Sequence, residues 1–183
     1  VTVTVDSRRR SAPALERDHP QAVFVDVTSR GPEPWVALSP LYPHGGIPVP
    51  FSPGVTSQTV EGIWQALKVF ATADVDPRKL EIVTMRGIKR TVRSNGPVLG
   101  HREGLAGHRL LPYVEARRRI YLPSFLWVLE NKVPDLVDEL RRLARQRDVV
   151  LLDYTTNGDV DDTSTPLSHA ALVRRHLEGD WPT

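Results

Sequence analysis

Apolar residues recur along this chain with two different periods, and each change of period marks a structural element. Val1–Val5 and Ala22–Thr28 alternate apolar with polar residues, which predicts two strands. Segment 29–54 is punctuated by prolines and four glycines, so the sequence predicts a folded loop with short extended pieces such as Trp35–Leu38. Helical spacing follows. Val60, Ile63, Trp64 and Leu67 fall at i, i+3, i+4 and i+7, with Ser57 or Thr59 placed as the cap. Glu61, Gln65 and Lys68 share a second face of that helix, one able to line a cleft.

Farther along, Val114–Tyr121 and Ser124–Asn131 read as short helices divided by Pro123, and Pro134–Arg147 as an amphipathic helix opened by proline. The run Val149–Leu152 predicts a strand buried on both faces that delivers Asp153 and Tyr154 at its end. Thr155–Gly158 has turn chemistry. A last helix is expected from Pro166, capped by Thr165 or Ser164. The pattern predicts an α+β fold, predominantly helical. It is expected to be one compact domain over residues 1–183, with a few short strands and a Pro/Gly-rich loop before the central helix.

Composition narrows the classes. The chain of 183 residues has no cysteine, which excludes disulfides, thiol nucleophiles and thiolate metal sites. The first residues show no apolar core of a signal peptide, and no stretch approaches a membrane span, so a cytoplasmic protein without membrane partners is expected. A net charge of +2 conceals segregation. From Arg78 to Arg119 there are eleven Lys or Arg against three acids, whereas Asp148–Val173 holds five Asp and no Lys or Arg. Such a split is either a solvated surface pattern or an anion site, because arginine forks match phosphate oxygens in pairs. Of Arg86, Lys89, Arg90, Arg93 and Arg102, one or two are expected to bind phosphate. Arg117–Arg119 read as a solvated helix face.

The six histidines lack the spacings that bring two ligands to one metal, so neither a metal nor another cofactor is expected. His44, in Pro43-His44-Gly45-Gly46, can reach a cleft from its loop or be an ordinary loop residue. His169 beside Ser168 has no nucleophile elbow around it. Asp153, ending an apolar strand, is either a carboxylate shown at the strand's rim or a cap for Thr155–Gly158. Trp64 reads as core or as a stacking platform, and Gln65 as a partner of a sugar hydroxyl or of solvent.

The order Leu38-Ser39-Pro40-Leu41-Tyr42-Pro43, a loop, then Thr59-Val60-Glu61 through Lys68 resembles the NADAR group of N-glycosidases. The usual pattern of that group is S-N-F-Y-P followed by T-V-E-H-Y-x-Q-A-x-K. The likeness is concentrated in about thirty residues. Pro40 stands where the group has Asn, Gly62 where it has His, and the C-terminal W-G-x-G is missing. The resemblance implies cleavage of an N-ribosidic bond in a nucleotide-like compound or an ADP-ribosylated base, in a divergent branch. Breaking such a bond leaves positive charge on the sugar, and a carboxylate both stabilises that charge and orients a water. Glu61 is the first candidate and Asp153 the second. Lys68 can pair with Glu61 or hold phosphate. Trp64, Gln65, Arg86, Lys89, Arg90, Arg102 and His44 complete the expected substrate contacts. Two other classes stay open: a nucleotide-sugar-binding domain without turnover, and a nucleic-acid-binding domain using the basic middle.

Overall fold

In the computed structural model, which describes residues 2–183, the first alternating segment forms β1 (Val3–Ser7). Val1, the predicted start of that strand, lies outside the described residues. Helix α1 (Ala12–Asp18) follows with Pro13 in its first turn, then β2 (Val23–Asp26). Trp35–Leu38 is a 3-10 turn, not an extended piece. The amides of Val36 and Ala37 bond the carbonyls of Pro32 and Pro34, two residues whose fixed φ suits a tight turn. A short antiparallel pair, β3 (Ile47–Pro48) and β4 (Thr56–Ser57), leads to α2 (Val60–Leu67) and β5 (Lys68–Phe70).

Past a 3-10 turn at Pro77–Glu81 come α3 (Val92–Asn95), β6 (Val98–Arg102) and β7 (Leu110–Leu111). Pro123 does not divide two helices. The chain passes from α4 (Tyr113–Ala116) through a π turn at Arg117–Tyr121 straight into α5 (Leu122–Asn131). Proline donates no N–H, and the widened turn ahead of it accommodates that loss. Then follow α6 (Pro134–Gln146), β8 (Val149–Asp153) and α7 (His169–Glu178). The last helix starts three residues later than the pattern predicts, because Ser168 supplies the cap by accepting the Ala171 N–H at 3.1 Å. The fold is α+β with helices predominating, and no helix among the described residues is long and apolar enough to cross a membrane.

Packing divides the chain into two compact units, residues 2–39 with 133–183, and residues 40–132. Neither boundary carries a low-complexity linker, which is why composition left the chain undivided. In the first unit β8 is the middle strand of a parallel sheet ordered β1-β8-β2. Val149, Val150 and Leu151 are wholly buried, as expected of a strand covered on both faces. Helix α7 packs on β1 and β8, and α6 on β8 and α7, through Val137, Leu140, Leu172 and Val173.

In the second unit α2 buries Val60, Ile63, Ala66 and Leu67 against the Pro77–Glu81 turn, the π turn and α5. Val60, Ile63 and Leu67 each contribute about 1.5–3 kcal/mol by burial. The antiparallel sheet β5-β6-β7 sets Lys68 opposite His101, and His101 opposite Leu111. That register brings the end of α2 to the middle of the sheet.

Candidate functional site

The site is built on α2. Thr59 caps it, its Oγ1 accepting the Gly62 N–H at 2.7 Å, while the Glu61 N–H donates to the Pro40 carbonyl at 2.9 Å. The resemblance to the Pro40 segment thus involves two segments that touch. Gly62 is fixed by contact: a Cβ there would lie 2.6 Å from the Lys79 carbonyl oxygen and 2.8 Å from Thr59 Oγ1. No histidine fits at that position in this arrangement.

Glu61, half-buried in the first helical turn, accepts a hydrogen bond from Gln65 Nε2 at 2.8 Å. The i, i+4 spacing makes that pair local. Gln65 is buried and its other amide atom is also committed, Oε1 accepting the Arg90 N–H at 3.0 Å. Gln65 therefore positions Glu61. Lys68 ends the same face, and burial pushes its amine below the usual lysine range, opposed by the charge of Glu61 and reinforced by Arg90 and Lys89.

Trp64 is core by burial, yet its ring stacks on His101 with centroids 3.7 Å apart. The Lys68 Nζ lies 6.0 Å from the Trp64 ring, and Tyr113 and Tyr121 meet that ring edge-on at 5.7 and 5.8 Å. Among the described residues neither ring nitrogen of His101 has a hydrogen-bond partner, although the residue is completely buried. Burial, with the nearby Lys68 charge, drives His101 down to about 3, so it is neutral near pH 7. Orphaned polar atoms in a core are costly and mark places where packing alone did not choose the residue. Sequence spacing missed His101, Tyr113 and Tyr121, because only the β5–β6 register and the chain's return through α4 bring them to Trp64.

The predicted basic contacts separate into two kinds. Arg90 is structural: its guanidinium donates to the carbonyls of Gln65 (3.1 Å), Lys68 (2.6 Å) and Asp74 (2.6 Å) and lies 4.8 Å over the Phe70 ring. Arg102 is likewise engaged, bonding Asp74 Oδ1 at 3.0 Å and the Gly107 carbonyl at 3.5 Å. Arg86, Lys89 and Arg93 are exposed. His44 packs its ring 4.8 Å from that of Tyr42. The solvated face expected at Arg117–Arg119 is corrected by the fold. Arg117 is buried with its guanidinium 4.8 Å over Tyr113, and Arg119 pairs with Glu103 (2.6 Å) and Glu115 (3.2 Å).

Asp153 belongs to the other unit and is not displayed at a rim. It is buried, and Oδ2 accepts from Ser168 Oγ (2.8 Å), the Ala170 N–H (3.3 Å) and His169 Nδ1 (3.0 Å), while Oδ1 accepts from the Tyr154 N–H (2.7 Å). These bonds tie the end of β8 to the start of α7. The expected cap for Thr155–Gly158 is replaced by a cap for a helix. His169 Nε2 faces the Val27 carbonyl at 2.8 Å, so both of its nitrogens meet acceptors and Ser168 is bonded to Asp153. This is a structural lock with no activated hydroxyl.

The chain belongs to a family of unknown function (DUF6939), whose model matches residues 7–173. No curated protein and no solved structure matches it.

Proposed function

We propose that this member of DUF6939 hydrolyses an N-glycosidic bond in a phosphorylated ribosyl or ADP-ribosyl compound, with Glu61 as the reacting carboxylate. One observation carries the reading: Gln65 holds a half-exposed Glu61 on the α2 face that also presents Lys68. It agrees with the likeness of Thr59–Lys68 to the NADAR pattern. In the reaction a water oxygen bonds to the anomeric carbon as the carbon–nitrogen bond breaks. The electron pair leaves with the base, which gains a proton. Glu61 stabilises the positive sugar and takes a proton from the water. Lys68, whose amine feels the charge of Glu61, balances the carboxylate and can hold an anionic substituent. A cytoplasmic setting suits such substrates.

A second reading, a pocket that binds a nucleotide sugar without turnover, is favoured by Pro40 and Gly62 standing where the NADAR pattern has other residues. Nucleic-acid binding is weakened because Arg90 and Arg102 are held by carbonyls and Asp74, and Arg109 and Arg119 are paired with Glu115 and Glu103. One experiment separates the first two. The purified protein is incubated with nucleotides, ADP-ribosylated bases and phosphorylated ribosylamines, and products are resolved by chromatography. Release of free base by wild type, absent in Glu61→Gln, is expected. Intact ligand bound with no base released would overturn the hydrolase reading in favour of the binder.

A further inference from the structure

An open groove of about 780 Å³ lies in the second unit between segments 73–79 and 89–95. Its volume falls within the range of about 300–1,000 Å³ common for small-molecule sites. Four cations line it, Arg78, Lys79, Lys89 and Arg90, against two acids, Asp74 and Asp76. Both acids are neutralised in place: Asp76 by Arg78 at 2.8 Å, and Asp74 by Arg102 at 3.0 Å. Lys79 and Arg90 donate only to carbonyl oxygens, and Lys89 is exposed. Lys79, Lys89 and Arg90 therefore line the groove with no carboxylate within ion-pair distance among the described residues; the Arg90 guanidinium is held by carbonyls, and Asp76 and Asp74 act on its charge from farther away. Two of them, Lys89 and Arg90, also act on Lys68 at the end of α2 and depress its amine. Like charges gathered this way are stabilised by an anion among them.

The groove is also wired to Glu61. The Arg90 main-chain N–H donates to Gln65 Oε1 at 3.0 Å, and Gln65 Nε2 donates to Glu61 Oε1 at 2.8 Å. Two hydrogen bonds connect a groove residue with the carboxylate.

We propose that this groove binds a phosphate or diphosphate group, and that its occupancy is transmitted to Glu61 through Arg90 and Gln65. The transmission to chemistry rests on the reading of Glu61 as the reacting carboxylate, whereas the anion site does not. Phosphate oxygens recruited by Lys89 and Lys79 pull on the Arg90 side chain, which shares the groove. Arg90 then shifts its main-chain amide against Gln65. The group is either the substrate's own phosphate or that of a separate effector.

The test is titration of the full chain with inorganic pyrophosphate, followed by calorimetry and by the side-chain amide resonance of Gln65. Saturable binding is expected, weakening as salt is raised. Lys89→Glu, at an exposed position that leaves the fold intact by circular dichroism, is expected to weaken it at least about tenfold. The Gln65 resonance is expected to move along the same saturation curve. No saturable binding, or equal binding by Lys89→Glu, overturns the site. Binding without movement of Gln65 overturns the transmission. Binding with movement in a protein that releases no base leaves this inference standing and removes the hydrolase reading. Pyrophosphate that raises KM of a phosphorylated substrate assigns the groove to substrate, and pyrophosphate that changes kcat alone assigns it to an effector.

Discussion

His169 and Asp153 form a buried ion pair, Nδ1 to Oδ2 at 3.0 Å, while His169 Nε2 meets the Val27 carbonyl at 2.8 Å. Burial alone would lower the imidazole, yet the Asp153 charge and hydrogen bonds to Asp153 and Val27 hold it above 6.5, with Asp26 adding to them. Burial likewise opposes ionisation of Asp153, but His169, Ser168 and the Ala170 amide bring it down from 3.8 to about 2.

The pair therefore stabilises the fold over a window. Its histidine part is complete below 6.5 and is lost as pH rises through the raised imidazole value; its aspartate part is complete above 3.8 and is lost toward 2. His169→Gln should lower stability most between those limits, by about 1–3 kcal/mol, because Asp153 loses its charged partner while keeping the bonds from Ser168, Ala170 and Tyr154. Urea unfolding of both proteins across pH 3–9 checks this; a difference independent of pH speaks against the pair.

His101 works in the opposite sense. Its folded value of about 3 lies below the ordinary 6.5, so the unfolded chain binds the proton first and stability falls as pH drops below 6.5. His101→Leu should remove that part of the acid loss and be neutral or stabilising near pH 7, because two unpaired nitrogens leave the core. If His101 serves the site, turnover falls in the same variant. Unfolding at pH 7 and 5 with parallel assays separates the two effects.

Gln65→Leu should reduce kcat by about tenfold, or 1.4 kcal/mol, with a smaller change in KM, since the carboxylate loses its holder while a side chain of similar size stays in place. It also leaves the Arg90 N–H unpaired, costing stability about 1–3 kcal/mol. Unchanged kcat in a folded variant would mean that Glu61 needs no positioning.

Gly62→Ala would ordinarily strengthen a helix by about 1 kcal/mol. Here the added Cβ meets the Lys79 carbonyl at 2.6 Å and Ser57 Oγ at 3.0 Å, so net destabilisation is expected. Overpacking of this kind costs about 1–3 kcal/mol. Thermal unfolding of the variant checks it, and a raised Tm would show that the Pro77–Glu81 turn yields.

The residues of α2 show how much was legible. Its apolar period, the Thr59 cap and the Glu61–Gln65 spacing are all consequences of 3.6 residues per turn, and the structure carries each of them. The strand Val149–Leu152 was readable for the same reason: an unbroken apolar run suits the middle of a parallel sheet. The final helix was misplaced by three residues because Thr165, Ser164 and Ser168 are chemically equivalent caps, and only the bonds made by Asp153 select Ser168.

By itself the sequence determined the α+β class, the amphipathic faces and which side chains share a turn, since those depend on neighbours along the chain. Tertiary structure decided where the charges went. Arg90 reaches Gln65 from 25 residues away, and Asp153 reaches Ser168 from 15. Trp64 stacks on His101 only because antiparallel strands set that register. No local period records such pairings. They follow from packing, which pairs most buried polar groups through contacts distant in sequence, and which at His101 leaves two nitrogens without a partner among the described residues.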